Sequence, residues 1–188
     1  MGNGGYEYLL AYKLTVPIYD YTVVFCERWV SKFSRTTDQM VQAARSGMQN
    51  IAEGYSQESL AGYIKLSGVS RGSFEELLND YLSFARQQKI GLWGKERVIG
   101  GIRELRELWG VLRKTAVLPD SPHFPELPKD PENAVNMMIT LIHQENYMLS
   151  KLIVSLEAKH QKEGGFSEKL LKKRLEYRRR SDMGNTGI

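Results

Sequence analysis

The sequence predicts an all-α protein: a bundle of helices followed by a short basic carboxyl-terminal helix. Three observations carry that expectation. No stretch of convincing length alternates apolar and polar residues with the period of two that a half-buried strand needs. Apolar residues instead recur at steps of three and four over most of the chain. Glycines, prolines and capping residues punctuate these runs at intervals that suit helices. With 188 residues the chain suits one domain and can bury a core. We divide it into a helical bundle over 1–165 and a basic helix with a disordered tail over 166–188.

The first helix is expected to begin near Thr15, with Pro17 in its first turn and Val16, Tyr19, Val23, Cys26, Val30 and Phe33 as its apolar stripe. Tyr6, Tyr8 and Tyr12 precede it and are compatible with a short extended arm. Thr36 then caps a second helix, with Gln39 completing a capping box in which each side chain satisfies the other's free backbone N–H. Met40, Ala44, Met48, Ile51 and Tyr55 share its apolar face, and it stops around Gly54. Ser56 or Ser59 caps a third helix that runs until Gly91. Leu60, Ile64, Phe74, Leu78 and Tyr81 lie on one side of it, and Tyr63, Leu66, Leu77 and Phe84 on another. One side can serve the bundle while the other serves a neighbouring helix or subunit.

A fourth segment places Val98, Ile102, Leu105, Trp109 and Leu112 on a heptad stripe that Gly100 and Gly101 weaken near its start. From Leu118 to Pro131 the prolines of "LPDSPHFPELPKDP" predict an extended connector over the surface. A fifth helix carries Val135, Met138, Ile142, Leu149, Leu152 and Leu156 in register until Gly164 and Gly165 break it. Ser167 can cap the basic helix, which reaches about Arg180, and "SDMGNTGI" reads as disordered.

One stretch, "GMQNIAEGYSQES", is unusual for a helix core. Ala43, Gly47, Asn50 and Gly54 are spaced four, three and four, so they share one face of small side chains. The third helix carries Ser67, Gly68, Ser70, Gly72 and Ser73, and such strips let backbones approach closely. The two strips are expected to face each other or the same partner. Asn50 then fixes register through its amide. Glu53 caps the next helix or pairs with Arg71, which falls on an apolar face and needs an anion. A catalytic reading of Asn50, Glu53 and Arg71 lacks a nucleophile, metal ligand or cofactor loop beside them, so the structural reading is preferred and no enzymatic activity is expected.

The remaining chemistry is sparse. A single cysteine, Cys26, permits no internal disulfide and reads as a small buried apolar group. His123, His143 and His160 show no metal-binding spacing, and no phosphate loop is present, so neither metal nor cofactor is expected. No run approaches the roughly 18 apolar residues of a membrane span, and the amino terminus lacks a signal-peptide pattern, so a cytoplasmic protein without membrane contact is expected. Charge is informative by position. Lys159 to Arg180 holds nine cations and three acids, a net +6 against +4 for the whole chain. Lys169, Lys172, Lys173, Arg174, Arg178, Arg179 and Arg180 are the candidate contacts for RNA or DNA phosphates; the alternative is a solvated helix and tail that keep the protein soluble.

"DQMVQAARSGMQNIAEG" (Asp38 to Gly54) and "GVSRGSFEELL" (Gly68 to Leu78) resemble the four-helix-bundle family of proteins encoded in intervening sequences of bacterial 23S ribosomal RNA genes. The pentad Asn50, Ile51, Ala52, Glu53, Gly54 matches the family signature. Gln39, Ala43 and Ser46 also fit, as do Arg71, Gly72 and Ser73 with Glu76 and Leu77. The likeness implies an up-down four-helix bundle whose fourth member is the fifth helix, with an inserted amphipathic helix and its connector at about 95–131, Lys95 to Pro131, and with the basic segment appended. In that form the chain resembles the subset with a four-helix-bundle suffix region, related to the accessory variability protein of diversity-generating retroelements. The resemblance implies a non-enzymatic homo-oligomer, a pentamer, with RNA or DNA and a protein such as a reverse transcriptase as partners. The chain departs from the family at Val41 and Gln42, where many members are basic, and this moves the expected nucleic-acid contact to the carboxyl-terminal cluster. The alternative is a purely protein-binding or oligomerisation module that docks a partner through Leu105, Trp109 and Leu112.

Overall fold

The computed structural model describes residues 5–31 and 33–184, with the side chains of 166, 167, 169 and 181–184 outside the description. The fold is all-α. After a 3-10 turn at Gly5–Tyr8 come α1 (Leu10–Trp29), α2 (Arg35–Tyr55) and α3 (Leu60–Gln87). They are followed by α4 (Lys95–Gly101), α5 (Arg103–Lys114), α6 (Pro131–Glu163) and α7 (Phe166–Gly184). Four of these close a ring: α1 packs on α2, α2 on α3, α3 on α6, and α6 back on α1. Neighbours run antiparallel. Cys26 near the end of α1 meets Met40 near the start of α2, Gly54 of α2 meets Tyr63 of α3, and Arg71 and Glu75 of α3 meet Ser150 and Asn146 of α6.

The ring encloses one continuous apolar core, and Phe25 is prominent in it. Its ring makes edge contacts with Tyr81 and Phe84, at centroid separations of 4.8 and 4.9 Å, a favoured aromatic geometry. Leu14 and Ile18 of α1, Met40 and Ile51 of α2, Leu77 of α3, and Met138 and Leu149 of α6 are fully buried around it.

The first helix differs from its expected form. It begins at Leu10, five residues before Thr15, and Pro17 lies in its interior. Its buried face is Ala11, Leu14, Ile18, Tyr21 and Phe25, not the expected stripe. Of that stripe only Cys26 is buried; Val16, Tyr19, Val23 and Val30 are half-buried and Phe33 is fully exposed beyond the helix. Thr22 occupies the true face because its hydroxyl donates to Ile18 O at 2.7 Å and so leaves no polar atom unpaired. Tyr6 and Tyr8 sit in the 3-10 turn and Tyr12 in α1, so no extended arm forms in the described residues.

Capping also shifts. Ser34, not Thr36, caps α2 by accepting from the Thr36 N–H, whereas Ser59 caps α3 by accepting from the Gly62 N–H. The fourth segment is two helices, interrupted where Ile102 takes an extended conformation right after Gly100 and Gly101. Both pieces bury their stripe, with Val98, Ile102, Leu105, Leu108 and Leu112 inside. Lys13, itself buried, donates to Leu112 O at 2.9 Å and Thr115 O at 2.7 Å. These are orphan carbonyls at the end of α5, where a cation is favoured.

The proline connector is held more tightly than a surface segment. Leu127 and Pro128 are buried, Tyr21 donates its hydroxyl to Pro125 O at 2.6 Å, and Arg28 donates to Leu127 O at 3.0 Å. Asp130 caps α6 by accepting from the Asn133 N–H, with Pro131 in the first turn. Gly164, at φ +73°, stops α6.

Candidate nucleic-acid interface

Gly165 leads into α7, where its N–H donates to Glu168 Oε2 at 2.8 Å. The helix continues to Gly184, past the expected end near Arg180 and through part of the segment expected to be disordered; 185–188 lie outside the described residues. Every described side chain of α7 is exposed, including Lys172, Lys173, Arg174, Arg178, Arg179 and Arg180. Lys169 belongs to the same helix, with its side chain outside the description. At 3.6 residues per turn, Lys172, Lys173, Arg179 and Arg180 project to one side. Arg174 and Arg178 project to the other, among the exposed Leu170, Leu171 and Tyr177. Such a helix offers solvent-exposed cations to a phosphate chain, and its sequence holds three acids, Glu168, Glu176 and Asp182, against them.

The small-residue strips meet only in part. Gly47 and Gly54 of α2 lie against α3, where a Cβ at position 47 would collide with the Phe74 ring and one at position 54 with Tyr63 and Leu66. Ser70 donates to Gly47 O at 2.7 Å, and the Ser46 and Ser73 hydroxyls pair at 3.0 Å. Asn50 is half-buried and donates to Ser46 O and Oγ in its own helix, so it ties α2 to the Ser46–Ser73 pair without bonding α3 directly. Gly68 and Gly72 do not face α2: a Cβ at either would meet nothing within 4 Å. The expectation for Glu53 and Arg71 also fails. Both are exposed; Glu53 forms no ion pair among the described residues, and Arg71 reaches Ser150 Oγ at 3.4 Å, on the α6 side of α3. Arg71 therefore has water for its charge and needs no buried anion. Leu105 and Leu112, expected to dock a partner, are buried in the chain's own core, and Trp109 is half-buried with its indole N–H donating to Gln144 Oε1 at 3.1 Å.

The structure brings together other motif positions. Gln39, Ala43, Ser46, Ser73 and Glu76 line one open groove of about 1510 Å³ on α1, α2 and α3. The carboxylates of Glu27, Asp38, Glu76 and Asp80 share it with a single guanidinium, that of Arg35. Burial and then Glu76 push the Asp80 carboxyl above the usual range. The Cys26 thiol, also lining the groove, is pushed up to about 12 by burial and then by Asp80 and Glu27. It stays protonated near neutrality and is a poor nucleophile. A groove of this sign repels phosphate, in keeping with the absence of basic residues at Val41 and Gln42.

With this geometry in place, comparison with known proteins gives one finding. The family model described as 23S rRNA-intervening sequence protein matches residues 7–112. The chain belongs to that family. No curated protein matches the chain, and no solved structure does. The match takes in α1 to α4 and α5 as far as Leu112, so it includes much of the segment expected as an insertion and ends before α6. The place of α6 as the fourth member of this intervening-sequence protein's ring rests on its packing against α1 and α3. Among the described residues no helix is long and apolar enough to cross a membrane, and no group of His, Cys, Asp and Glu could hold a metal ion.

Two features had no usable signal in the sequence. Lys13 falls among apolar residues and reads as a break in the pattern, yet it anchors α5. Glu145 sits in α6 fully buried, with neither carboxylate oxygen hydrogen-bonded among the described residues.

Proposed function

We propose that this intervening-sequence protein is a non-enzymatic, cytoplasmic, oligomeric helical scaffold that binds RNA or DNA through the phosphates, using α7. The observation that carries this reading is a solvated helix dense in lysine and arginine beyond a bundle that has no need of it. Each phosphate neutralised releases counterions, so affinity comes from α7 and falls steeply with salt. Membership of the 23S rRNA-intervening sequence protein family supports a connection with RNA. The subset with a suffix region, the kinship to retroelement accessory variability proteins, a pentameric state and a reverse-transcriptase partner are part of the same proposal. An oligomer would gather several α7 helices and gain avidity.

Titration of a labelled single-stranded RNA and a DNA duplex at low and moderate salt tests this. Binding at low salt that weakens with salt and is lost on deletion after Gly165 supports it. Binding that is absent at low salt, or unchanged by the deletion, sinks it.

A second reading, oligomerisation or protein binding without nucleic acid, is favoured by the outer face of α3. There Gly68 and Gly72 leave open space beside Val69, which is 45% exposed, so another backbone can approach closely. Light scattering decides whether the face is used by copies of this chain: a mass near 21.5 kDa at micromolar concentration removes that role.

A further inference from the structure

The outer face of α6 and the α4–α5 arm enclose a second groove of about 990 Å³. Its floor is aliphatic: Leu82, Leu92, Ile99, Ile139 and Met148. Trp93, Trp109 and Tyr147 stand along it, and each carries a cation four residues on. Arg97 stacks over Trp93 at 3.9 Å, Arg113 over Trp109 at 5.5 Å and Lys151 over Tyr147 at 5.4 Å. Lys95, Arg106 and Arg113 line the groove and, among the described residues, no Asp or Glu does. Leu92 and Tyr147 are 58% and 64% exposed, so the face is open and apolar in the isolated chain.

We propose that this groove docks an acidic amphipathic helix of a protein partner. Along α6 it runs from Ile139 to Met148, about 14 Å at the helical rise, room for the i, i+4, i+7 side chains of a helix laid lengthwise. The apolar floor takes those anchors, and the cationic rim takes carboxylates on the flanks. The charge also argues against a second copy: α7, the helix whose described side chains are all exposed, is basic and is repelled by Lys95, Arg106 and Arg113. Nucleic acid fits less well. The two indole N–H groups are already spent on Glu132 and Gln144, Arg97 covers a face of Trp93, and aliphatic side chains give bases nothing to stack on.

The test uses two synthetic helical peptides of about four turns, with leucines at i, i+4, i+7 and i+11 and either glutamate or lysine elsewhere. Fluorescence anisotropy with the full chain is expected to show micromolar binding of the glutamate peptide and at least about tenfold weaker binding of the lysine peptide. Lys95→Glu with Arg106→Glu should reverse that preference, and Leu92→Glu with Tyr147→Glu should weaken both. All four positions are exposed, and unchanged helical circular dichroism checks that each variant folds. Equal affinity for the two peptides, no saturable binding of either, or a preference untouched by the rim variant overturns the proposal. So does the case where a uridine-rich single-stranded RNA, and not the glutamate peptide, binds the chain truncated after Gly165 and is lost on Leu92→Glu with Tyr147→Glu; the groove would then be a nucleic-acid site.

Discussion

The Phe74 ring lies so close to the backbone of Gly47 that a Cβ at position 47 would stand 2.5 Å from Phe74 Cε2. Phe74 is fully buried and Ser70, one turn earlier, holds Gly47 O, so neither helix can withdraw without breaking other contacts. Alanine gains about 1 kcal/mol of helix propensity over glycine, but overpacking of this kind costs about 1–3 kcal/mol. Gly47→Ala should therefore melt below the parent chain, and Gly47→Leu should fail to fold. Gly72→Ala, with open space around it, should gain up to about 1 kcal/mol. Thermal unfolding of the three variants checks this; a Gly47→Ala chain more stable than the parent would refute the steric account.

Glu145 makes stability depend on pH. Burial without a bonding partner raises its carboxyl well above the ordinary value, so the folded chain keeps the proton at pH values where the unfolded chain has lost it. A raised folded value means full stability below the unfolded value of about 4.3 and progressive loss as pH rises toward the folded value. Glu145→Gln should be more stable than the parent at neutral pH by about 1–3 kcal/mol, and the gap should widen with pH. Denaturant titrations at several pH values measure it, and a gap that stays flat would contradict the assignment.

Lys13→Met keeps the stem of the side chain and removes the donor for the carbonyls of Leu112 and Thr115. Leaving both acceptors without it should cost about 1–3 kcal/mol, concentrated at the end of α5. Hydrogen exchange should rise over residues 108–116 while the α2–α3 contact stays protected. Uniform loss across the chain would place the role of Lys13 in the bundle instead.

Tyr21→Phe removes the bond to Pro125 O and little else. The expected penalty is about 1 kcal/mol, together with faster proteolysis within 116–126. Adding Arg28→Met, which frees Leu127 O, should extend the cleavable region toward Asp130. Unchanged cleavage in the double variant would mean that burial of Leu127 alone pins the connector.

Helix existence was legible because long runs at helical spacing have few other uses; phase and ends were harder. In α1, Val16, Tyr19, Val23 and Val24 are half-buried around a face that includes Thr15 and Thr22, so apolar stripes can be drawn in more than one register. Only the tertiary neighbours select one. Cap identity turned on a single hydroxyl, Ser34 against Thr36, and both are plausible from sequence. Gly47 and Gly54 were readable as packing devices because small side chains at that spacing have a geometric consequence. Glu53 and Arg71 were not, because a charge in sequence carries no record of whether its face meets water. The groove beside Trp109 was hidden for another reason: it is made by residues from four separate segments, and its local spacing on α5 looks like ordinary core.

The joint at Gly164 and Gly165 has a consequence for how this protein can change. Position 164 holds a backbone conformation other residues avoid, and a Cβ there would strike the Glu168 carboxylate that caps α7. On one side of the joint lie the side chains that decide whether the chain folds; on the other, the described side chains all face water. Inheritance can therefore act on the two sides separately: the basic helix can be lengthened, recharged or replaced by another sequence, and the bundle would carry the new cargo without being recast.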